Sequence, residues 1–169
     1  MDTLNLIHVG IADMGISTGE GTLRTILGSC VGICLYDQYI KMGGLAHIML
    51  PSVGAAGVAD VTAVALPEKY ADTALPLLVK RMQEGGADIR RMKAKIAGGS
   101  KMFGLFDDSD SAVASIGMNN VAKVEQLLSE MGIELLAKDV GGSCSRIISF
   151  NLLTGEVKIK AVGISEVTI

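Results

Sequence analysis

The sequence predicts an α+β fold, and three observations carry that expectation. Short segments rich in β-branched and apolar residues recur along the chain, bounded by Gly, Asp or Pro. Between them, two longer segments change to the helical period. Near the C-terminus, Leu153-Thr154-Gly155 joins two strand patterns through a connection of hairpin length, which implies antiparallel pairing. At 169 residues the chain is expected to form one domain, 1–169, able to bury a core without metal or disulfide.

In chain order, strands are expected over 4–11, 22–27, 31–37, 45–50, 94–97, 133–139, 146–151 and 156–162. In the third, alternation sets Val31, Ile33 and Leu35 on one face and Gly32, Cys34 and Tyr36 on the other, with both faces at least partly covered. From 68 to 84, Ala71, Ala74, Leu75, Leu78 and Met82 form a helical stripe that Gly85-Gly86 stops. Pro76 lies inside this pattern without the donor an interior turn needs, so it is expected to kink the helix or mark its effective start. A second helix is expected over about 120–131, capped by Asn119 or Asn120, with Val121, Val124, Leu127, Leu128 and Met131 buried and Gly132 closing it. The stretches 51–67 and 98–115 lack periodicity, and the first reads as a surface loop or a flap over a site.

Composition narrows the function classes. A net charge of -3 without a basic cluster argues against nucleic acid, whose phosphates are bound by grouped Lys and Arg. Trp is absent and aromatics make up 4%, so bases would find few stacking platforms. The longest apolar run falls far short of a membrane span, so no direct membrane insertion is expected. An odd count of three cysteines without a secretory signal fits reduced thiols and a cytoplasmic location. Neither CxxC nor HxxxH occurs and only two histidines are present, so neither metal nor cofactor is expected.

Cys30 is the residue around which a function organises. It ends the run Leu27-Gly28-Ser29-Cys30, where a glycine turn meets a β-branched segment, and His47 follows seventeen residues later. A thiol on a tight turn with an imidazole on a nearby strand is the minimum equipment for nucleophilic acyl chemistry. The imidazole takes the thiol proton and later returns it to a leaving amine, which points to an amidase. The oxyanion is expected to be held by the Cys30 N–H and another N–H from the Gly28-Ser29 turn. A third residue should orient the imidazole. Thr25 is the candidate, with Thr22 and Ser29 as other hydroxyls close in sequence.

The remaining thiols and imidazole read as structural. Cys34 fills space in mid-strand, Cys144 is an inert loop thiol, and His8 is a satisfied histidine in an apolar strand. Met102 and Phe103 fall where both periodicities lapse, beside Asp107-Asp108, and are expected to anchor a substrate or partner helix. The competing reading sends both into the core.

An ordered set of motifs spans nearly the whole chain. It comprises Leu27-Gly28-Ser29-Cys30-Val31, Gly43-Gly44-Leu45-Ala46-His47-Ile48-Met49-Leu50-Pro51 and Lys69-Tyr70-Ala71-Asp72. It continues with Lys95-Ile96-Ala97-Gly98-Gly99, Met102-Phe103, Ile116-Gly117 to Asn120-Val121, and Asp139-Val140-Gly141-Gly142 to Arg146. Together these resemble the CheD-type chemoreceptor glutamine deamidases of bacterial and archaeal chemotaxis. The resemblance implies a nucleophile at Cys30, a base at His47 and a Thr partner, for which Thr25 is the nearest match. It further implies conversion of glutamines on the cytoplasmic helices of chemoreceptors to glutamate, and CheC, a phosphatase acting on phosphorylated CheY, as a possible partner. The implied fold is a sandwich of mixed sheets with helices packed outside, similar to cytotoxic necrotizing factor-type deamidases. Asn119 and Ser145 stand where the family often has Arg and Gly, and these departures touch partner or substrate contacts rather than the Cys/His pair.

The expected function is therefore a cysteine-dependent protein-glutamine deamidase. The rivals are a Cys/His protease or transglutaminase, and a non-catalytic regulator that binds a CheC-like phosphatase.

Overall fold

The computed structural model describes residues 5–54, 57, 64–102 and 115–169. Its strands are β1 (Leu6–His8), β2 (Asp13–Thr18), β3 (Thr22–Leu27), β4 (Val31–Asp37), β5 (Met42–Ile48), β6 (Lys93–Gly98), β7 (Glu134–Val140), β8 (Arg146–Asn151), β9 (Val157–Ala161) and β10 (Val167–Thr168). Its helices are α1 (Ala71–Glu84) and α2 (Ile116–Glu130). The first sheet runs β1-β3-β8-β9-β10 and the second β2-β5-β4-β6-β7. Both sheets are mixed, because β1 pairs with β3 and β6 with β7 in parallel while the other ladders are antiparallel. The β8/β9 hairpin pairs antiparallel as expected.

The alternation read from β4 separates two cores. Val31, Ile33 and Leu35 join Ala46 and Ile48 of β5 under Leu75, Leu78 and Met82 of α1 and Val121, Val124 and Leu128 of α2. Cys34, on the opposite face, joins Leu23, Leu27, Leu45, Ile148 and Phe150 between the sheets. The result is an α+β sandwich of two mixed sheets with both helices on the outer face of the second sheet.

Several local expectations need correction. β5 begins at Met42, three residues before the expected strand, because Gly43 and Gly44 are strand residues. A Cβ at Gly43 would lie 2.3 Å from Leu152 Cδ2, and one at Gly44 would lie 2.7 Å from Leu78 Cδ1. The glycines let β5 approach the first sheet on one side and α1 on the other. β2 and β10 were not anticipated, since Asp13, Gly15, Ser17 and Thr18 dilute the strand signature of β2. His8 is exposed on β1 and not buried in an apolar strand.

The helices differ from expectation at their starts. α1 begins at Ala71 after a 3-10 turn over Pro67–Lys69, and Pro76 sits inside it on the exposed side, where water can take the carbonyl its missing N–H leaves free. α2 begins at Ile116, so its N-cap is Ser115 and Asn120 lies one turn inside. Most of the segments 51–67 and 98–115 without periodicity, residues 55, 56, 58–63 and 103–114, lie outside the described residues.

Candidate active site

Thr25 and His47 come together across the two sheets. On β3, Thr25 shares its parity with Leu23 and Leu27, so its hydroxyl turns inward with them. His47 lies on β5 with the parity of Leu45 and is only 1% exposed. Thr25 Oγ1 lies 2.7 Å from His47 Nδ1 and donates its own proton to the Val9 carbonyl, also at 2.7 Å. A hydroxyl has one proton, so with that proton on Val9 the Nδ1–H must donate to Oγ1. The imidazole is thereby held as the Nδ1–H tautomer, and its lone pair resides on Nε2. Nε2 is buried and makes no hydrogen bond to any described residue, Cys30 included.

Cys30 sits in the three-residue link that carries the chain from the first sheet to the second, between Leu27 and Val31. The β4/β5 ladder pairs Gly32 with His47, and Cys30, two residues before Gly32, is half-buried and packs against the core between the sheets. Three consecutive carbonyls of this link are tied down. Gly28 accepts from the Ser100 N–H at 2.9 Å, Cys30 accepts from the Gly99 N–H at 2.8 Å, and Ser29 accepts from Asn120 Nδ2 at 3.1 Å.

Burial sets the electrostatics of the pair. It pushes the Cys30 thiol above its ordinary value, opposed by the thiol's own backbone N–H. It pushes His47 down to about 4. The cause is visible at Gly32, where an added Cβ would meet Ile148 Cδ1 and Leu27 Cδ1 at 3.0 Å, so apolar groups crowd the strand beside the imidazole. At neutral pH the resting groups are therefore a neutral thiol and a neutral imidazole, and burial favours this uncharged pair over a thiolate and an imidazolium.

The other expected site residues fall as follows. Gly28 and Ser29 form the turn before Cys30, and the Met102 side chain lies over Gly28, its sulfur 3.5 Å from where a Cβ would stand. Met102 is 48% exposed, at the edge of this link and not in the core. Phe103 lies outside the described residues. Cys34 is buried and its thiol is pushed up to about 12 by burial, which removes it as a nucleophile. A cavity of about 200 Å³ beside Cys34, Tyr36 and Lys95 opens at the far end of β4 from Cys30. No group of residues that could hold a metal occurs among the described residues.

Two groups near Cys30 escaped the sequence reading. Asn120, expected as a helix cap, instead donates from inside α2 to the carbonyls of Ser29 and Met49. Arg146 donates to Asp139 Oδ1 at 2.6 Å and to Ser100 Oγ at 2.7 Å, bracing the segment that holds the Gly28 and Cys30 carbonyls.

Comparison with known proteins adds an independent line. A family model described as CheD chemotactic sensory transduction matches residues 49–161. A "Probable chemoreceptor glutamine deamidase CheD" of Clostridium acetobutylicum is 42% identical over 163 residues, covering 96% of this chain and 94% of its own length. Proteins of the same description are 44% identical over 159 residues in Clostridium botulinum strain Alaska E43, covering 94% of each chain, and 42% identical over 163 residues in Desulfitobacterium hafniense DCB-2, covering 96% of this chain and 97% of their own.

Proposed function

This chain belongs to the CheD family, and from that membership we propose that it deamidates glutamine side chains of chemoreceptors through a thioester on Cys30. The observation that carries this reading is the buried, unbonded Nε2 of His47, held in one tautomer by Thr25. An unsatisfied polar atom in a buried site is destabilising, and it is retained where chemistry uses it.

In the proposed cycle, Nε2 takes the Cys30 proton as sulfur attacks the carboxamide carbon, and the carbonyl oxygen becomes an oxyanion. The Cys30 N–H and the turn amide before it hold that oxyanion. Collapse breaks the carbon–nitrogen bond, and the departing ammonia takes the proton from Nε2. Water then gives a proton to Nε2 and adds to the thioester. The carbon–sulfur bond breaks, glutamate leaves, and Nε2 returns the proton to sulfur. Thr25 keeps Nδ1 protonated throughout and meets the imidazolium with an oxygen. Met102 lies beside the turn as an adaptable apolar contact for the receptor helix.

A chemoreceptor cytoplasmic fragment incubated with the protein tests this reading. The expected result is ammonia release and glutamine-to-glutamate conversion by mass spectrometry, lost in Cys30→Ala and strongly slowed in His47→Ala. Backbone cleavage or a cross-linked product would reassign the chemistry to a protease or a transglutaminase. Binding of a CheC-like phosphatase without any product would assign the chain as a regulator.

A further inference from the structure

We infer that Asn120 is a positioning residue that aims the Cys30 N–H at the oxyanion, an assignment that rests on the deamidase reading above. Asn120 is fully buried, and its Nδ2 donates to Ser29 O at 3.1 Å and to Met49 O at 2.9 Å. One amide group therefore spans the link that holds Cys30 and the strand end just beyond His47. Both donors face carbonyls, so the orientation is fixed: the flipped amide would set Oδ1 against two carbonyl oxygens. Oδ1 itself is buried without a partner among the described residues. Hydrogen-bond satisfaction alone does not explain why an asparagine stands here.

The consequence for Cys30 follows from the peptide plane. In a trans peptide, the carbonyl of one residue and the N–H of the next point in opposite directions. Drawing the Ser29 carbonyl onto Asn120 turns the Cys30 N–H away from α2. The N–H then lies beside the residue's own sulfur. That is the side on which the oxygen of a carboxamide attacked by this sulfur comes to rest. The carbonyls before and after are fixed by Ser100 and Gly99, so the link cannot relax by rotating the neighbouring peptides.

Helix docking does not need the Asn120 amide. Gly117 already seats α2 on this segment, since a Cβ there would lie 2.5 Å from the Gly99 carbonyl oxygen. A role limited to holding α2 in place would thus be duplicated, whereas no other described side chain donates to the Ser29 carbonyl.

The test compares two reactions of the same sulfur. Deamidation of the receptor fragment builds an oxyanion, while alkylation by iodoacetamide is a displacement at saturated carbon and builds none. Asn120→Asp, which keeps the shape and removes the donors, should lower kcat by about 10²- to 10³-fold, the effect of losing one oxyanion donor. KM should stay near that of the native protein, and the alkylation rate should fall far less than kcat, by no more than the thiolate stabilisation that the Cys30 N–H supplies. Equal falls in kcat and alkylation would overturn the proposal, because Asn120 would then merely hold the thiol, and so would an unchanged kcat. Should Asn120→Asp fail to fold, the native protein carries the test. A receptor peptide with an aldehyde in place of the target carboxamide forms a hemithioacetal on Cys30, and the Cys30 amide proton should move downfield in its nuclear magnetic resonance spectrum. An unmoved resonance would overturn the proposal. Failure of the deamidase reading is distinguishable: native protein would release no ammonia, or Cys30→Ala would release it at the native rate, and the assignment to Asn120 falls with it.

Discussion

Gly98 and Cys30 meet in a contact that only glycine permits: a Cβ at position 98 would lie 2.2 Å from the Cys30 carbonyl oxygen, at a φ of +107°. Gly98→Ala must push that carbonyl away and drag Cys30, the proposed nucleophile, with it. Deamidation should fall by about 10²-fold or more, the penalty of an ångström-scale misplacement of a reacting group. Native kcat in a folded Gly98→Ala protein would refute the link between this glycine and the placement of the thiol.

Thr25 allows a test of tautomer control. Thr25→Val keeps the shape but leaves the His47 Nδ1–H without an acceptor in a buried site, at a stability cost of about 1–3 kcal/mol. The proton then has no reason to stay on Nδ1, and kcat should drop by about 10²-fold, while Thr25→Ser retains most activity. Equal activity in the Val and Ser variants would remove Thr25 from the mechanism.

Acid should act on stability through His47. Its folded value of about 4 lies below the ordinary 6.5, so between the two the unfolded chain binds more protons and stability rises with pH. The contribution is fully present above the unfolded value and is lost progressively as pH falls through the folded one. Urea midpoints should therefore decline from neutral pH to about pH 4.5 in the native protein and decline less in His47→Gln. The acid limb of kcat/KM, which reports the substrate-free protein, should also lie near 4 and not near 6.5. An acid limb at the ordinary histidine value would show that the imidazole is solvated.

Gly43→Ala probes the packing between the sheets. The added methyl would stand 2.3 Å from Leu152 Cδ2 and 2.9 Å from Phe150 Cε1. Overpacking of this kind costs about 1–3 kcal/mol, which urea unfolding should report as a lower midpoint at unchanged slope. A midpoint within error of native would mean that Leu152 and Phe150 repack freely.

What could be read from the chain depended on the range over which each residue is determined. Thr22 to Leu27, Val31 to Asp37 and Arg146 to Asn151 carry their alternation within themselves, and their strands match the expected spans. The same alternation turns Thr25 inward beside Leu23 and Leu27. Gly43 and Gly44 fell outside the expected strand over 45–50 because their reasons, Leu152, Phe150 and Leu78, are remote in sequence. Gly117 hid the start of α2 in the same way, since a glycine reads as a helix breaker until Gly99 is seen against it. Asn120 was the hardest to read. Asparagine at a helix start suggests a cap, whereas its acceptors here lie 91 and 71 positions away.

Because Thr25 belongs to the first sheet and His47 to the second, the proposed base keeps its Thr25 partner only while the two layers are in register with each other. A sheared sandwich, with every ladder intact, would keep the circular dichroism of the native protein and yet lose its proton acceptor. On the proposed mechanism, turnover is therefore a gauge of interlayer slip, and on heating it should fade before the strands do.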